Sequence, residues 1–181
     1  RWKNLCIIID RNLTNVTAIN QFIISLKSYN LCIITCDVSE PTYQHLEEKR
    51  ISKDKIKIDV FIGIGGGSTL DMAKGLSVLY SNHGDAINYR GHNQFKVPIL
   101  PIIAIPTTAG TGSEITPNAS FIDSVEKKKM GINGNALRPT LAFLDPELFF
   151  WARCKSYQVR SASAVLRPCP WAASLHALFL N

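Results

Sequence analysis

Two long apolar runs in this 181-residue chain each end in a glycine-rich turn. Residues 59–64 (DVFIGI) lead into Gly65-Gly66-Gly67-Ser68, and residues 99–105 (ILPIIAI) lead into the segment 106–114 (PTTAGTGSE). Apolar runs of this length are typical of strands that are buried on both faces. Two such junctions therefore favour an α/β architecture in which parallel strands deliver loops to one edge of a sheet.

The remainder of residues 1–148 alternates between strand and helix patterns. Further strands are predicted at 5–9, 31–35, 121–123 and 141–144. Helices are predicted at 18–26 with Thr17 as N-cap, at 43–49, and from about Ser68 to Leu79. The alternation predicts a Rossmann-like, doubly wound, mostly parallel sheet with helices on both faces.

Charge and hydropathy disfavour two classes of partner. The net charge is +6, but residues 151–181 contain four basic residues and no acidic one, so most of the excess lies there. The cluster Lys127-Lys128-Lys129 is too short for a nucleic-acid surface and is interpreted as a solvated turn. Neither an uninterrupted apolar run of about 18 residues nor a signal-peptide pattern is present, which predicts a cytoplasmic protein without a membrane partner.

The cysteines show no metal-binding or disulfide pattern. They form neither a CxxC pair nor a zinc-ribbon spacing, at positions 6, 32, 36, 154 and 169. The first three lie in apolar runs, where cysteine behaves as a small hydrophobic residue. We therefore expect reduced core thiols.

The two glycine-rich turns have the composition of phosphate-binding loops. Glycines at 65–67 let backbone N–H groups approach a phosphate, and the following helix N-terminus adds partial positive charge. The Ser68 hydroxyl could cap the helix or bond a phosphate oxygen. The turn is neither a P-loop nor a strict GxGxxG, and alone it favours a plain tight turn. The hydroxyls and glycines of residues 106–114 suit a diphosphate and a ribose, and their alternative is a loop without a ligand.

Together the two segments resemble the paired signature of iron-containing alcohol dehydrogenases. Residues 65–74 read GGGSTLDMAK and residues 106–114 read PTTAGTGSE, in that order and after suitable strands. Arg138-Pro139 and the segment 144–148 (LDPEL) also match, so the resemblance covers about residues 3–148. Dehydroquinate synthases and glycerol dehydrogenases share the fold and the glycine turn but resemble PTTAGTGSE less.

The resemblance implies NAD as the cofactor and assigns residues to it. Gly66, Gly67 and Ser68 would hold the pyrophosphate, Gly65 would belong to the same cofactor-binding turn, and Asp71 would lie close by in the first turn of the helix. Thr107, Thr108 and Thr116 would line the ribose and nicotinamide side, and Lys129 would reach the nicotinamide ribose. Asp10 would accept hydrogen bonds from the adenine ribose; its alternative is an ordinary turn residue. Lys74 is interpreted as a structural residue on the helix surface.

The resemblance also implies a divalent metal, iron or zinc, held by one Asp and three His of a helical second domain. The first two ligands would be an Asp and, four residues later, a His, soon after residue 148. Here Ala172 precedes His176 by four residues, and His45, His83 and His92 match no ligand. We therefore predict no metal ligands and assign no catalytic residue. The predicted domains are a dinucleotide-binding domain at 1–148, without its first strands, and an aberrant or degenerate tail at 149–181.

The predicted function is NAD-dependent hydride transfer that interconverts an alcohol and an aldehyde or ketone. The chain would represent the cofactor-binding half, inactive alone, and the alternative is a non-catalytic nucleotide-binding remnant. A lyase like dehydroquinate synthase would need basic and metal-binding residues that are not found. A truncated sheet with one uncovered face is also expected to associate, which leaves a homo-oligomer open.

Asp10 predicts that NAD binds more tightly than NADP. Its carboxylate would face the 2′-phosphate of NADP, and this repulsion should cost on the order of 1–3 kcal/mol. Titrating both cofactors measures the difference. Equal or tighter binding of NADP would show that Asp10 does not face the adenine ribose.

Overall fold

The computed structural model describes residues 2–146 and 148, which form two sheets. The strands are β1 (Asn4–Asp10), β2 (Asn30–Cys36), β3 (Val60–Gly65), β4 (Gly91–His92), β5 (Ile102–Pro106), β6 (Asn118–Asp123), β7 (Lys128–Asn133) and β8 (Leu141–Ala142). The larger sheet has five strands in the order β2-β1-β3-β5-β8, and every pair in it is parallel. The predicted doubly wound, mostly parallel α/β fold is confirmed.

The central strands are the apolar runs seen in the sequence. Ile7 pairs with Ile33 on one side and with Ile62 on the other, and both Ile7 and Ile62 are completely buried. Burial of such side chains contributes about 1.5–3 kcal/mol each. The parallel sheet therefore owes its stability to continuous apolar strands rather than to alternating ones.

Helices cover both faces of this sheet. They are α1 (Thr17–Ser25), α2 (Tyr43–Glu48) and α3 (Gly67–Ser81), with single 3₁₀ turns at Arg11–Leu13, Ala86–Tyr89 and Asn135–Leu137. α1 packs Ile19 and Phe22 against one face, and α2 and α3 share a core with the other. The expected uncovered face is therefore absent over the central strands, although Ile33 on the edge strand β2 is 46% exposed.

The helix starts differ in part from the sequence prediction. α1 is capped by Val16 without a side-chain hydrogen bond, so the prediction of Thr17 as N-cap is wrong. Thr17 is already helical and its hydroxyl cannot take the capping position. α2 begins with a capping box: Thr42 accepts a hydrogen bond from the His45 amide (3.1 Å), and its own amide donates to His45 Nδ1 (3.3 Å). His45 is thus a structural residue.

The second sheet, ordered β4-β7-β6, covers the outer side of α3. Phe121 of β6 is fully buried and packs in one cluster with Leu46 and Leu76. The sequence prediction missed β7, because the lysine run reads as a turn. Lys127 does lie in the turn, with a φ of 52°, but Lys128 and Lys129 begin the strand.

The limits of the other predicted strands shift at prolines and polar residues. β5 begins at Ile102 rather than at residue 99, after Pro98 and Pro101, which have no N–H to donate to a ladder. β8 ends at Ala142, two residues earlier than predicted, and β6 starts at Asn118, three residues earlier.

The state of the described cysteines agrees with the sequence prediction. Cys6, Cys32 and Cys36 are free, as predicted, whereas Cys154 and Cys169 lie outside the described residues. None of the helices in residues 2–146 and 148 is long and apolar enough to cross a membrane.

Gly75 should be intolerant of a side chain because α3 lies between two layers. A Cβ at this position would be 2.7 Å from Phe121 Cζ and 2.8 Å from Leu46 Cδ1. Gly→Ala in a helix normally stabilises by up to about 1 kcal/mol. Here we expect Gly75→Ala to destabilise by about 1–3 kcal/mol, because overpacking outweighs helix propensity.

Urea denaturation of Gly75→Ala measures this cost. The loss should shrink in a Phe121→Leu background, where the aromatic ring that opposes the new methyl group is gone. A Gly75→Ala variant as stable as the wild type would contradict the close packing of α3 against β6.

Candidate cofactor-binding site

Three predicted segments meet at the carboxyl edge of the large sheet. Asp10, Gly65 and Pro106 end the neighbouring strands β1, β3 and β5, and Gly65 pairs directly with Pro106. A Cβ on Gly65 would lie 2.6 Å from Thr69 Oγ1 and 3.0 Å from Asp10 Cβ. Only glycine at 65 therefore allows Asp10 and the start of α3 to pack so closely.

The second glycine-rich loop lies directly on the first turn. The Thr107 amide donates a hydrogen bond to the Gly65 carbonyl (2.9 Å). A Cβ at Gly67 would be 2.9 Å from Thr111 Cγ2, and one at Gly66 would be 3.2 Å from Thr108 Oγ1. The absence of side chains at Gly66 and Gly67 thus makes room for the loop that follows β5.

The N-terminus of α3 supplies backbone donors at this edge. Gly66 is the N-cap and has no side-chain cap, and the first intrahelical bond runs from the Leu70 amide to the Gly66 carbonyl (3.1 Å). The amides of residues 67–69 have no carbonyl one turn earlier to bond. The prediction that Ser68 could cap the helix is wrong, because Gly66 is the N-cap and Ser68 already lies within the helix; its hydroxyl donates to the Ser39 carbonyl.

A cleft of about 360 Å³ opens beside this helix start. Five residues predicted from the sequence line it: Gly67, Ser68, Asp71, Thr116 and Lys129. It is also lined by four that were not assigned: Thr111, Ser113, Asn118 and Ser120. Thr111 and Ser113 belong to the PTTAGTGSE segment and could have been chosen with it. Asn118 and Ser120 come from β6, and no sequence pattern points to them.

The other five predicted residues lie behind or beside the cleft. Gly65 is buried at the end of β3, and Thr107, only 3% exposed, ties the two turns together. Gly66 and Thr108 face each other without lining the cleft. Asp10 Oδ1 accepts a hydrogen bond from the Asn12 amide (2.8 Å), which is the turn role considered as its alternative. The ribose contact of Asp10 stays a prediction.

Asp71 joins α3 to the opposite wall of the cleft. Its Oδ1 accepts a hydrogen bond from the Ser113 hydroxyl (2.5 Å) and its Oδ2 accepts one from the Ser120 amide (2.9 Å). Burial raises the pKa of Asp71, while these hydrogen bonds and the charges of Lys74 and Lys129 act in the opposite direction. The carboxylate therefore braces the loop and β6 against the helix.

Lys74 is completely buried, so its predicted place on the helix surface is wrong. Its Nζ donates hydrogen bonds to Ser113 Oγ (3.3 Å) and to the carbonyls of Thr116 (2.8 Å) and Asn118 (2.7 Å). Burial lowers the pKa of Lys74 to about 8, against the opposing effect of the Asp71 and Glu114 carboxylates. The second sheet covers this side of α3, which local sequence does not reveal.

Lys129 lines the cleft from β7. It is exposed on β7, and its Nζ lies 3.9 Å from Glu40 Oε1. An ion pair between two exposed side chains at this distance contributes about 0–1 kcal/mol. Breaking this ion pair therefore costs little, so Lys129 can turn toward an anion in the cleft.

A metal-binding cluster is absent from the described part of the chain. Residues 2–146 and 148 contain no group of three or more His, Cys, Asp or Glu side chains that could hold an ion. Ala172 and His176 lie outside these residues. The described residues thus do not supply a site for the metal that the resemblance implies.

The parallel sheet, with a cleft beside the glycine-rich turns at its carboxyl edge, defines a doubly wound α/β domain. The family model "Iron-containing alcohol dehydrogenase" matches residues 1–146. The chain therefore belongs to the iron-containing alcohol dehydrogenase family.

Individual relatives agree with this assignment. The chain is 44% identical over 90 residues to NAD-dependent methanol dehydrogenase of Bacillus methanolicus, covering 50% of this chain and 24% of the relative. It is 35% identical over 153 residues to the human mitochondrial hydroxyacid-oxoacid transhydrogenase, covering 80% and 32%. The solved alcohol dehydrogenase from Oenococcus oeni superposes with a TM-score of 0.74 at 31% identity, covering 82% and 40%. The chain thus spans a quarter to two fifths of the length of these proteins.

Two substitutions of Asp71 separate its hydrogen bonds from its bulk. Asp71→Leu removes both acceptors and leaves the Ser120 amide without its partner, which should cost about 2–4 kcal/mol of unfolding free energy. Asp71→Asn retains one acceptor oxygen for that amide and should cost about 1 kcal/mol. Urea denaturation at neutral pH compares them. Equal stability of the two variants would show that Asp71 does not brace the cleft.

Proposed function

We propose that this chain carries the cofactor-binding half of an NAD-dependent oxidoreductase that interconverts an alcohol and an aldehyde or ketone by hydride transfer. The observation that carries the proposal is the contact between the two glycine-rich turns above the N-terminus of α3, beside a polar cleft. The names of relatives support the cofactor and the reaction type, since one is an NAD-dependent dehydrogenase of an alcohol.

The cleft suits the diphosphate of NAD. The backbone amides of residues 67–69 point from a helix start whose partial positive charge favours an anion. Hydroxyl groups of Thr111 and Thr116 and the ammonium of Lys129 line the same space. Charge-assisted hydrogen bonds of this kind are about twice as strong as neutral ones. The Ser68 amide can bind a phosphate oxygen even while its hydroxyl bonds Ser39.

The two ends of the cofactor would extend from this point in opposite directions. Asp10, at the end of β1, would accept hydrogen bonds from the adenine ribose, next to the Gly65 turn. Lys129 and Thr116, on the β6–β7 side, would face the nicotinamide ribose, with Thr107 and Thr108 shaping the loop between them. When bound, the nicotinamide supplies the hydride acceptor or donor. The described residues do not provide the metal ligands.

The remaining proposals concern the domains, second substrate, partners and location of the whole protein. We propose a dinucleotide-binding domain at 1–148, followed by a segment at 149–181 that does not carry the family's first metal ligands. A small alcohol or aldehyde would be the second substrate, and neither nucleic acid nor membrane is a proposed partner. The predicted cytoplasmic location stays a prediction, because relatives named mitochondrial occur. Self-association likewise stays a prediction.

Nucleotide binding should depend on the backbone at the first turn. Gly66→Val places a branched side chain against Thr108, where the cofactor is proposed to meet the backbone. Loss of a charge-assisted hydrogen bond should weaken NAD binding by about 1.5–3 kcal/mol, or roughly 10- to 150-fold. Isothermal titration of the full chain with NAD measures this change.

Ser28→Val is the matched control, since it adds the same side chain at an exposed turn far along the chain. It should bind NAD like the wild type. Unchanged affinity of a folded Gly66→Val variant would show that the cofactor does not bind at this turn.

A further inference from the structure

Lys74 holds three residues of the cleft wall in place without lining the cleft itself. Its ammonium has three N–H donors, and the structure offers it three acceptors: Ser113 Oγ and the carbonyls of Thr116 and Asn118. Ser113, Thr116 and Asn118 all line the cleft. The shape of this wall therefore depends on a buried ammonium group.

We propose that Lys74 is a positioning residue whose bound proton fixes residues 113–118 in the form that accepts the cofactor, so that cofactor binding is proton-linked. This inference rests on the proposed function. It adds that nucleotide binding requires the Lys74 ammonium, a group that does not touch the nucleotide.

The hydrogen-bond count explains why the proton matters. A neutral amine keeps two N–H donors and gains a lone pair, so one of the three acceptors would face that lone pair. In a buried site an unsatisfied acceptor costs about 1–3 kcal/mol. The exposed loop that contains Gly110 and Gly112, both with positive φ, can relieve this cost by moving away from α3.

The charges around Lys74 also make cofactor binding weaker when Lys74 loses its proton. The carboxylates of Asp71, on α3, and Glu114, in the loop, both interact with the charge of Lys74. The charge of Lys129, on β7, interacts with that of Asp71. Glu114 Oε2 is buried and has no hydrogen-bond partner within the described part of the chain. Removing the Lys74 charge leaves two carboxylates opposed by Lys129 alone among these groups. An anionic diphosphate is then less favourable in the cleft.

The relevant pH range follows from burial. The pKa of Lys74 is lowered from 10.5 to about 8, so the free protein loses this proton above about pH 8. Between pH 8 and 10.5 the unfolded chain binds more protons than the folded one, and this titration raises global stability with pH. A fall in cofactor affinity in this range therefore cannot come from unfolding through Lys74.

The test is the pH dependence of NAD affinity in the full chain, measured by titration from pH 7 to 9.5. For the wild type, the Kd should rise above about pH 8 by up to about tenfold per pH unit. Lys74→Met has no proton to lose. It should bind at pH 7 as weakly as the wild type does at high pH, with a flat profile.

Two control variants isolate Lys74. Lys27→Met removes an exposed lysine of the turn after α1 and should keep the wild-type profile. Cys32 also titrates close to this pH range, because a hydrogen bond with Cys6 lowers its pKa to about 7. Cys32→Ser removes this titrating group and should also keep the wild-type pH profile. Circular dichroism at each pH checks that the proteins are folded.

Three results would overturn the inference. A wild-type Kd that is constant from pH 7 to 9.5 contradicts the proton linkage and leaves the proposed function intact. So does a Lys74→Met profile that rises like the wild type's, and this comparison needs only a folded variant. If Lys74→Met does not fold, the wild-type profile alone decides. Failure of the wild type to bind NAD at any pH contradicts both the inference and the proposed function.

Discussion

The close approach of two turns at the carboxyl edge of the sheet is the contact on which the site depends. Parallel pairing of β3 with β5 places Gly65 beside Pro106, and the hydrogen bond from the Thr107 amide continues that pairing into the loops. The loop can lie on the helix start only because position 67 has no side chain: a Cβ there would be 2.9 Å from Thr111. Sheet register, glycine content and the cleft are thus parts of one geometric requirement.

The second sheet supplies the opposite wall of the cleft at this edge. β6 brings Asn118 and Ser120 opposite α3, and its buried Phe121 packs one turn further along the same face of the helix, at Gly75. Covering α3 in this way buries Lys74 completely and Asp71 in part, whereas both would be surface residues on a helix with one free side. Both polar groups find partners on the same loop and strand, as buried polar groups require. The polar network is therefore a consequence of the packing that closes the cleft.

The sequence predicted most of what depends on local pattern. Continuous apolar runs predicted β1, β2 and β3, and the family resemblance led to five of the nine residues that line the cleft. The prediction failed where distant segments decide the outcome. Lys74 was assigned to the surface because helical periodicity cannot show that a second sheet covers α3. β7 was missed because Lys127-Lys128-Lys129 has the composition of a turn, although pairing with β6 holds two of these lysines in a strand. Asn118 and Ser120 carry no motif.

The central claim is that the two glycine-rich segments form a single dinucleotide site, and hydrogen exchange measured by mass spectrometry with and without NAD tests it most directly. We expect NAD to slow exchange in peptides covering residues 65–71 and 107–116 together, and to leave residues 17–29 on α1 unchanged. Protection of only one of the two segments, or protection confined to the opposite edge of the sheet near residues 30–32 and 56–57, would contradict the account.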